Sequence, residues 1–308
     1  MDGRRGLATL LLAAALTASL MAGCTEEHPA PPPTPPSAVP TQVPAYDGSL
    51  PPARSVLALV PLPARSLRLV DWAEIRKQVG LPELTSRSSA ADRAAFRMRA
   101  ARAAPLFDPP VLGAIDGRLR AAYGFGVDDV AWEAQFSGGG SGGWVLAFAP
   151  GVDMHAVARA VRDGVGRLRG ARVDVRDRLV TDGIAAPHQP VWGSDPTWRR
   201  LVPAPGEAVV VHRGCVGGMH VGAGPAVEPL SGFSITFGDH VATVRMDRNR
   251  DDLFARVRLG RGAFGRVFRT GVADPSTGRI GYDVPHPAQA VPLVRHDRLP
   301  VAACAPAN

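Results

Sequence analysis

The chain has 308 residues, 45% of them hydrophobic and 20% charged, with a formal net charge of +7. That apolar fraction excludes a disordered polyelectrolyte and is enough to build buried cores. Lys77 is the only lysine, and the arginines that carry the rest of the positive charge are spread along the chain among acids; without a basic run or an aromatic-interleaved patch, nucleic acid is not an expected partner.

At the N-terminus Arg4 and Arg5 precede the apolar run 7–23, LATLLLAAALTASLMAG, which has the charged and hydrophobic regions of an export signal. The run is alanine-rich and marginal in length for a bilayer span, which asks for about 20 strongly apolar residues. Met21-Ala22-Gly23-Cys24 resembles the lipobox of bacterial lipoproteins, with methionine where leucine is usual. The arginine-, alanine-, glycine- and proline-rich composition is similar to that of uncharacterised lipoproteins of high-GC Gram-positive type. The resemblance implies that residues 1–23 are a signal peptide and that Cys24 is lipidated and becomes the new N-terminus. It also implies a cell-membrane protein, lipid-anchored and facing outside the cytoplasm. Loss of Arg4, Arg5 and Asp2 with the signal would lower the net charge to +6. Ten prolines from Pro29 to Pro52 cannot join a ladder or a helix interior, so residues 24–53 are expected to be the lipidated cysteine and an extended tether.

The remaining residues suit one large domain or two small ones. The run 55–62, SVLALVPL, reads as a buried strand, and Asp71-Trp72-Ala73-Glu74 as a capping box opening a helix that Gly80 stops. A second helix is expected over 88–104 with Phe96 as its apolar anchor. A third should start at Asp108-Pro109-Pro110, bury Val111, Leu112, Ile115 and Leu119, and end at Gly124. From Asp128 the period changes to two: Val130, Trp132, Ala134 and Phe136 alternate with polar or small residues, and SGGGSGG (137–143) turns the chain into a second strand, WVLAFAP. Asp153 caps a helix with Met154, Val157 and Val161 inward, and 171–180 returns as a strand with Val173 and Val175 inward.

A similar order follows: strand 233–237, a tight turn at Gly238-Asp239, strand 241–246, and a helix near Asp251 with Leu253, Phe254 and Val257. Strand 278–284 and the tail LPVAAC would complete the second sheet. The expected architecture is therefore α+β, with mixed or antiparallel sheets packed with helices. It comprises two related ββα-containing subdomains, 54–186 and 187–308, which are also compatible with a single domain.

Glycine strings match catalytic motifs only as letters. Gly139-Gly140-Ser141-Gly142-Gly143 fits G-x-S-x-G, but that chemistry needs a helix leaving the loop, and here a strand leaves. Gly260 to Val267 resembles a protein-kinase glycine-rich loop, yet no lysine follows it. His212, Cys215, Met219 and His220 are the best metal candidates, with His212 and His220 weak ones, since imidazole, thiolate and thioether suit copper or zinc. Cys215 and Cys304 form an even pair in an oxidising compartment, where a disulfide is expected; it would close a loop worth roughly 4–5 kcal/mol in the chain-entropy model. It would also take the thiolate from any metal, so no metal or other cofactor is expected. The paired acids Asp128-Asp129 and Asp251-Asp252 sit at element starts, where capping accounts for them.

The residues thus point to a membrane-anchored extracytoplasmic protein that binds rather than catalyses, its ligand a small molecule, a lipid, a wall polymer or a protein. The rival reading is a surface hydrolase whose catalytic residues are dispersed along the chain.

Overall fold

A computed structural model of the chain describes residues 43–202, 205–216, 227–260 and 262–303, all within the unit Thr41–Asn308. Cys24 and nearly all of the tether lie outside the described residues. The stretch 43–53 is already part of the body: Pro44 packs against Gly193, and the Ser55 hydroxyl donates to the Asp47 carbonyl at 2.7 Å. The tether therefore ends about ten residues earlier than composition suggests.

Pro52 occupies the first turn of α1 (Pro52–Ser55), where its missing N–H costs nothing, and a 3-10 turn, Val56–Ala58, follows. The strand expected over 55–62 is absent. An apolar run of this length is ambiguous in period, and here helical turns bury Val56, Leu57 and Val60 on one side. The first strand is instead β1 (Ser66–Asp71). Asp71 caps α2 (Trp72–Gln78), accepting from the Glu74 amide at 3.0 Å, and Ser89 caps α3 (Ala90–Ala103) in the same way. Asp108-Pro109-Pro110 does not open the third helix, because Asp108 is taken by Arg68 at 2.8 Å. The helix begins with a 3-10 turn at Gly113–Ile115 and continues as α4 (Asp116–Tyr123), closed by Gly124 at φ 74°.

Strands β2 (Val130–Gly138) and β3 (Ser141–Phe148) form the hairpin the glycine loop foretells. Gly139 and Gly140 have φ of 60° and 76°, the pair of positive values that a two-residue turn of matching twist requires. Then come α5 (Met154–Arg162) with Asp153 as its cap, β4 (Arg172–Asp174), β5 (Leu179–Asp182) and α6 (Pro196–Leu201). The expected strand 171–180 is thus a hairpin, and Val175 lies exposed in its turn.

The second half supplies β6 (Ala208–Arg213), β7 (Gly232–Gly238), β8 (Val241–Arg245), α7 (Leu253–Leu259), α8 (Gly262–Val267), β9 (Arg269–Asp274), β10 (Arg279–Asp283) and α9 (Val291–Arg295). Its first hairpin turns at Asp239-His240, one residue later than expected. Phe254 is exposed on α7, and the tail forms a 3-10 turn at Pro300–Ala302 instead of a strand.

Among the described residues the strands form one ten-stranded sheet, every neighbouring pair antiparallel, in the order β4-β5-β3-β2-β1-β6-β7-β8-β10-β9. The fold is α+β. Counted outward from the centre, the first half runs first, second, third, fifth, fourth strand, and the second half repeats that order. In each half helical structure separates the third strand from the fourth. The halves meet at the antiparallel pair β1–β6, so the sheet has the topology of a duplicated unit joined about a pseudo-twofold, and it is continuous across the join.

Side-chain alternation gives the sheet two faces. One face buries Val70, Leu146 and Val180 under α2 to α5, and Val210, Ile235, Val244 and Ile280 under the helices of the second half. The other face is apolar only toward the first half: Leu67, Leu69, Ala134, Phe136, Val145, Val209 and Val211 are covered by α1, α6 and the stacked pair Trp192–Trp198. Further along it the residues become Ser234, Thr236, Thr243, Arg245 and Gly281, and Val272 is 66% exposed.

Candidate functional site

Between β1 and β2 the first half inserts the helical segment 72–129, and this segment lines a cavity of about 460 Å³ that is open on one side. Trp72 and Phe96, in edge-to-face contact at 6.4 Å, form its walls with Ala100, Leu106, Pro110 and Val127. Each arrives for a local reason: Trp72 is the first residue after the Asp71 cap, Phe96 and Ala100 are one turn apart on α3, and Val127 follows the helix-ending Gly124.

Four charged side chains also line the cavity. Asp116 accepts from the Val127 amide at 2.8 Å and pairs with Arg120 at 3.1 Å, so both its oxygens are engaged. Asp128 differs. Its side chain is 3% exposed, its Oδ2 has no hydrogen-bond partner, and the nearest cation, the Arg93 Nε, is 3.6 Å away, too far to donate. Burial first, then the Asp116 charge, raises the Asp128 carboxyl above the usual carboxylate range against the pull of Arg97, Arg93 and Arg120. The buried Nε of Arg120 is likewise without an acceptor. The neighbouring Asp129 is fully used: Oδ2 accepts from the Gly126 amide at 2.8 Å and Oδ1 from the Ser86 amide at 3.0 Å. Capping therefore accounts for one member of the Asp128-Asp129 pair and not for the other.

A buried carboxylate oxygen without a hydrogen bond is costly, and here the Arg93 Nε, itself buried without an acceptor, offsets part of that cost as an ion pair at 3.6 Å. The cavity lies within the 300–1,000 Å³ range of small-molecule sites and combines apolar walls with few polar groups in the usual way.

Of the metal candidates, only His212 and Cys215 lie among the described residues. His212 lies on β6, stacks on Phe233 at 5.6 Å and has Nδ1 3.5 Å from the Gly214 carbonyl. Cys215 is disulfide-bonded. Met219, His220 and Cys304 lie outside the described residues. Among the described residues no three histidines, cysteines or acids gather as a metal cluster, and no hydroxyl or thiol is hydrogen-bonded to an imidazole. Next to Cys215, Val216 pairs in parallel with Ala303, which adjoins Cys304 in sequence. The string 260–267 ends in helix α8, and the serine of the G-x-S-x-G string is the first residue of β3.

Sequence reasoning missed the cavity because its lining comes from α2, α3, α4 and the turn before β2. The one signal available was that Asp128 is an acid too many for the cap that Asp129 already provides. No helix among the described residues is long and apolar enough to cross a membrane. The chain matches no protein-family model, no curated protein and no solved structure.

Proposed function

We propose that this is a membrane-anchored extracytoplasmic lipoprotein whose body binds a small amphiphile: an apolar molecule with a hydrogen-bond donor. The observation that carries the binding reading is the cavity of about 460 Å³, largely apolar in its walls and lined at one side by Asp128, whose buried carboxylate has an ion-pair partner in Arg93 but no hydrogen bond to its Oδ2. Nothing in the cavity forms a nucleophile and base pair, so binding suits the geometry better than hydrolysis. The lipobox-like Met21–Cys24 supports the anchor, and a proline-rich spacer over 25–42 would reach about 55 Å if extended. The Cys215 disulfide, with Cys304 as the partner we propose, supports the compartment.

Two measurements test this reading. Cys24→Ala in the full chain is expected to abolish lipid labelling and release the protein from the membrane fraction; labelling that persists sinks the anchor. For the pocket, N-phenyl-1-naphthylamine is apolar and carries one N–H donor. Its fluorescence should rise saturably on mixing with the purified chain, with energy transfer from tryptophan. Asp128→Asn and Ala100→Phe should each weaken binding by about tenfold or more, the worth of one hydrogen bond to a charged group or of the filled space. Equal binding by both variants places the probe elsewhere and overturns the pocket.

A further inference from the structure

On the opposite face of the sheet, where the covering layer of α1 and α6 stops and the polar part begins, lies a cleft of about 770 Å³. Five arginines line it: Arg54 of α1, Arg199 and Arg200 of α6, Arg245 at the end of β8, and Arg248 just beyond. They are far apart in sequence, and the fold brings them together. Cross-strand pairing sets Arg279 of β10 directly beside Arg245 on the same face.

The charge of these arginines is not compensated. Among the described residues none of the five lies within 4.0 Å of a carboxylate, although eight such pairs are formed by other cations. The one acid in the cleft, Asp247, is already engaged, since it accepts from the Ser231 hydroxyl, which lies 2.9 Å from both its oxygens, and it faces Arg250 at 3.7 Å. The Nε of Arg245 is buried without an acceptor. Burial, then the charges of Arg279 and Arg248, pulls the Arg245 guanidinium below its ordinary value, so the site resists its own charge. A guanidinium fork matches a phosphate oxygen pair, and several forks around one cleft match several phosphates.

We propose that this cleft binds a soluble multivalent phosphate, a chain of phosphate or phosphodiester groups, through Arg54, Arg199, Arg200, Arg245 and Arg248. Its volume exceeds what one phosphate would fill, and five cations without counter-ions favour a ligand with several negative charges. The inference does not rest on the amphiphile pocket, which lies on the other face of the sheet.

Titration calorimetry of the full chain in mild non-ionic detergent, with tripolyphosphate as the probe, tests it. The expected result is saturable binding that weakens as salt rises and is at least tenfold tighter than binding of orthophosphate. The double variant Arg199→Gln/Arg200→Gln, at two exposed positions, and the single variant Arg245→Gln should each lose tenfold or more. Arg102→Gln, an exposed charge of α3 away from the cleft, should change nothing. Three results overturn the proposal: no saturable binding of tripolyphosphate, equal losses in Arg102→Gln, or arginine-dependent capture by anionic phospholipid vesicles without binding of the soluble probe.

Discussion

Replacement of Arg256 by alanine is expected to lower the unfolding free energy by about 3–5 kcal/mol, the cost of removing one partner from a buried ion pair. Arg256 is fully buried on α7. Its Nε donates to Asp252 Oδ2 at 2.8 Å, Nη1 to the carbonyls of Val301 and Ala303 at 2.9 and 3.0 Å, and Nη2 to the Glu228 carbonyl at 2.5 Å. Asp252 in turn accepts twice from Arg250 at 2.9 Å and once from the Glu228 amide at 2.8 Å. One guanidinium thus ties α7 to the segment before β7 and to the C-terminal turn. Deleting it leaves three carbonyls without this donor and a cavity in the second-half core. Urea unfolding of the full chain at neutral pH measures the loss, and Arg256→Lys, which keeps the charge without the fork, should fall between wild type and alanine. A loss below about 1 kcal/mol, the worth of an exposed pair, overturns the assignment.

The same network sets a response to acid. Burial works to raise the Asp252 carboxyl, but the Arg250 bonds, the Glu228 amide and Arg256 prevail and hold it below its ordinary range. A depressed carboxyl contributes stability that is present above its unfolded value and is lost as pH falls through the folded one. Stability should therefore fall in strong acid as Asp252 takes up its proton.

What the sequence disclosed and what it hid follow from one distinction. Features carried by neighbouring residues were legible: the Asp71 and Asp153 caps, the glycine hairpin 139–140, the period-two strand 130–136, and the repeated order of elements. Features set by distant pairing were not. Strand β6, AVVVHR, is central in the sheet, but its identity as a strand depends on β1 and β7 flanking it. SVLALVPL had the composition of a strand and became helical turns because the apolar face of the first half needed a cover. Both clefts were invisible for the same reason. The arginines 54, 199, 200, 245 and 248 read as scattered charge, and the acid pair 128–129 read as capping, until the fold gathered the first and left one oxygen of Asp128 without a hydrogen bond.

Glutamate 133 should make stability fall as pH rises from about 4.5 toward 7, and Glu133→Gln should remove that fall. The side chain is 3% exposed on β2, on the helix-covered face, with Val70 and Leu146 as its cross-strand neighbours. Burial pushes its carboxyl up to about 7; the Val111 amide, donating at 3.3 Å, the Trp72 indole and Arg167 pull it down, and Asp108 pushes it further up. In the unfolded chain the same group has a value near 4.5. Between these values the folded state holds the proton that the unfolded state has released, so the unfolded state binds fewer protons and stability declines with pH. A separation of this size corresponds to about 3 kcal/mol once both states are ionised. Glutamine keeps the shape and an acceptor for the Val111 amide while carrying no charge. The variant should therefore match wild type near pH 4.5 and exceed it by about 3 kcal/mol at pH 8. Urea unfolding of both chains across that range decides the matter, and parallel pH profiles would refute the buried, protonated glutamate. Trp72 lines the cavity of the helical insert, as does Pro110 next to Val111, so the wild-type carboxylate formed above pH 7 sits behind one wall of that cavity.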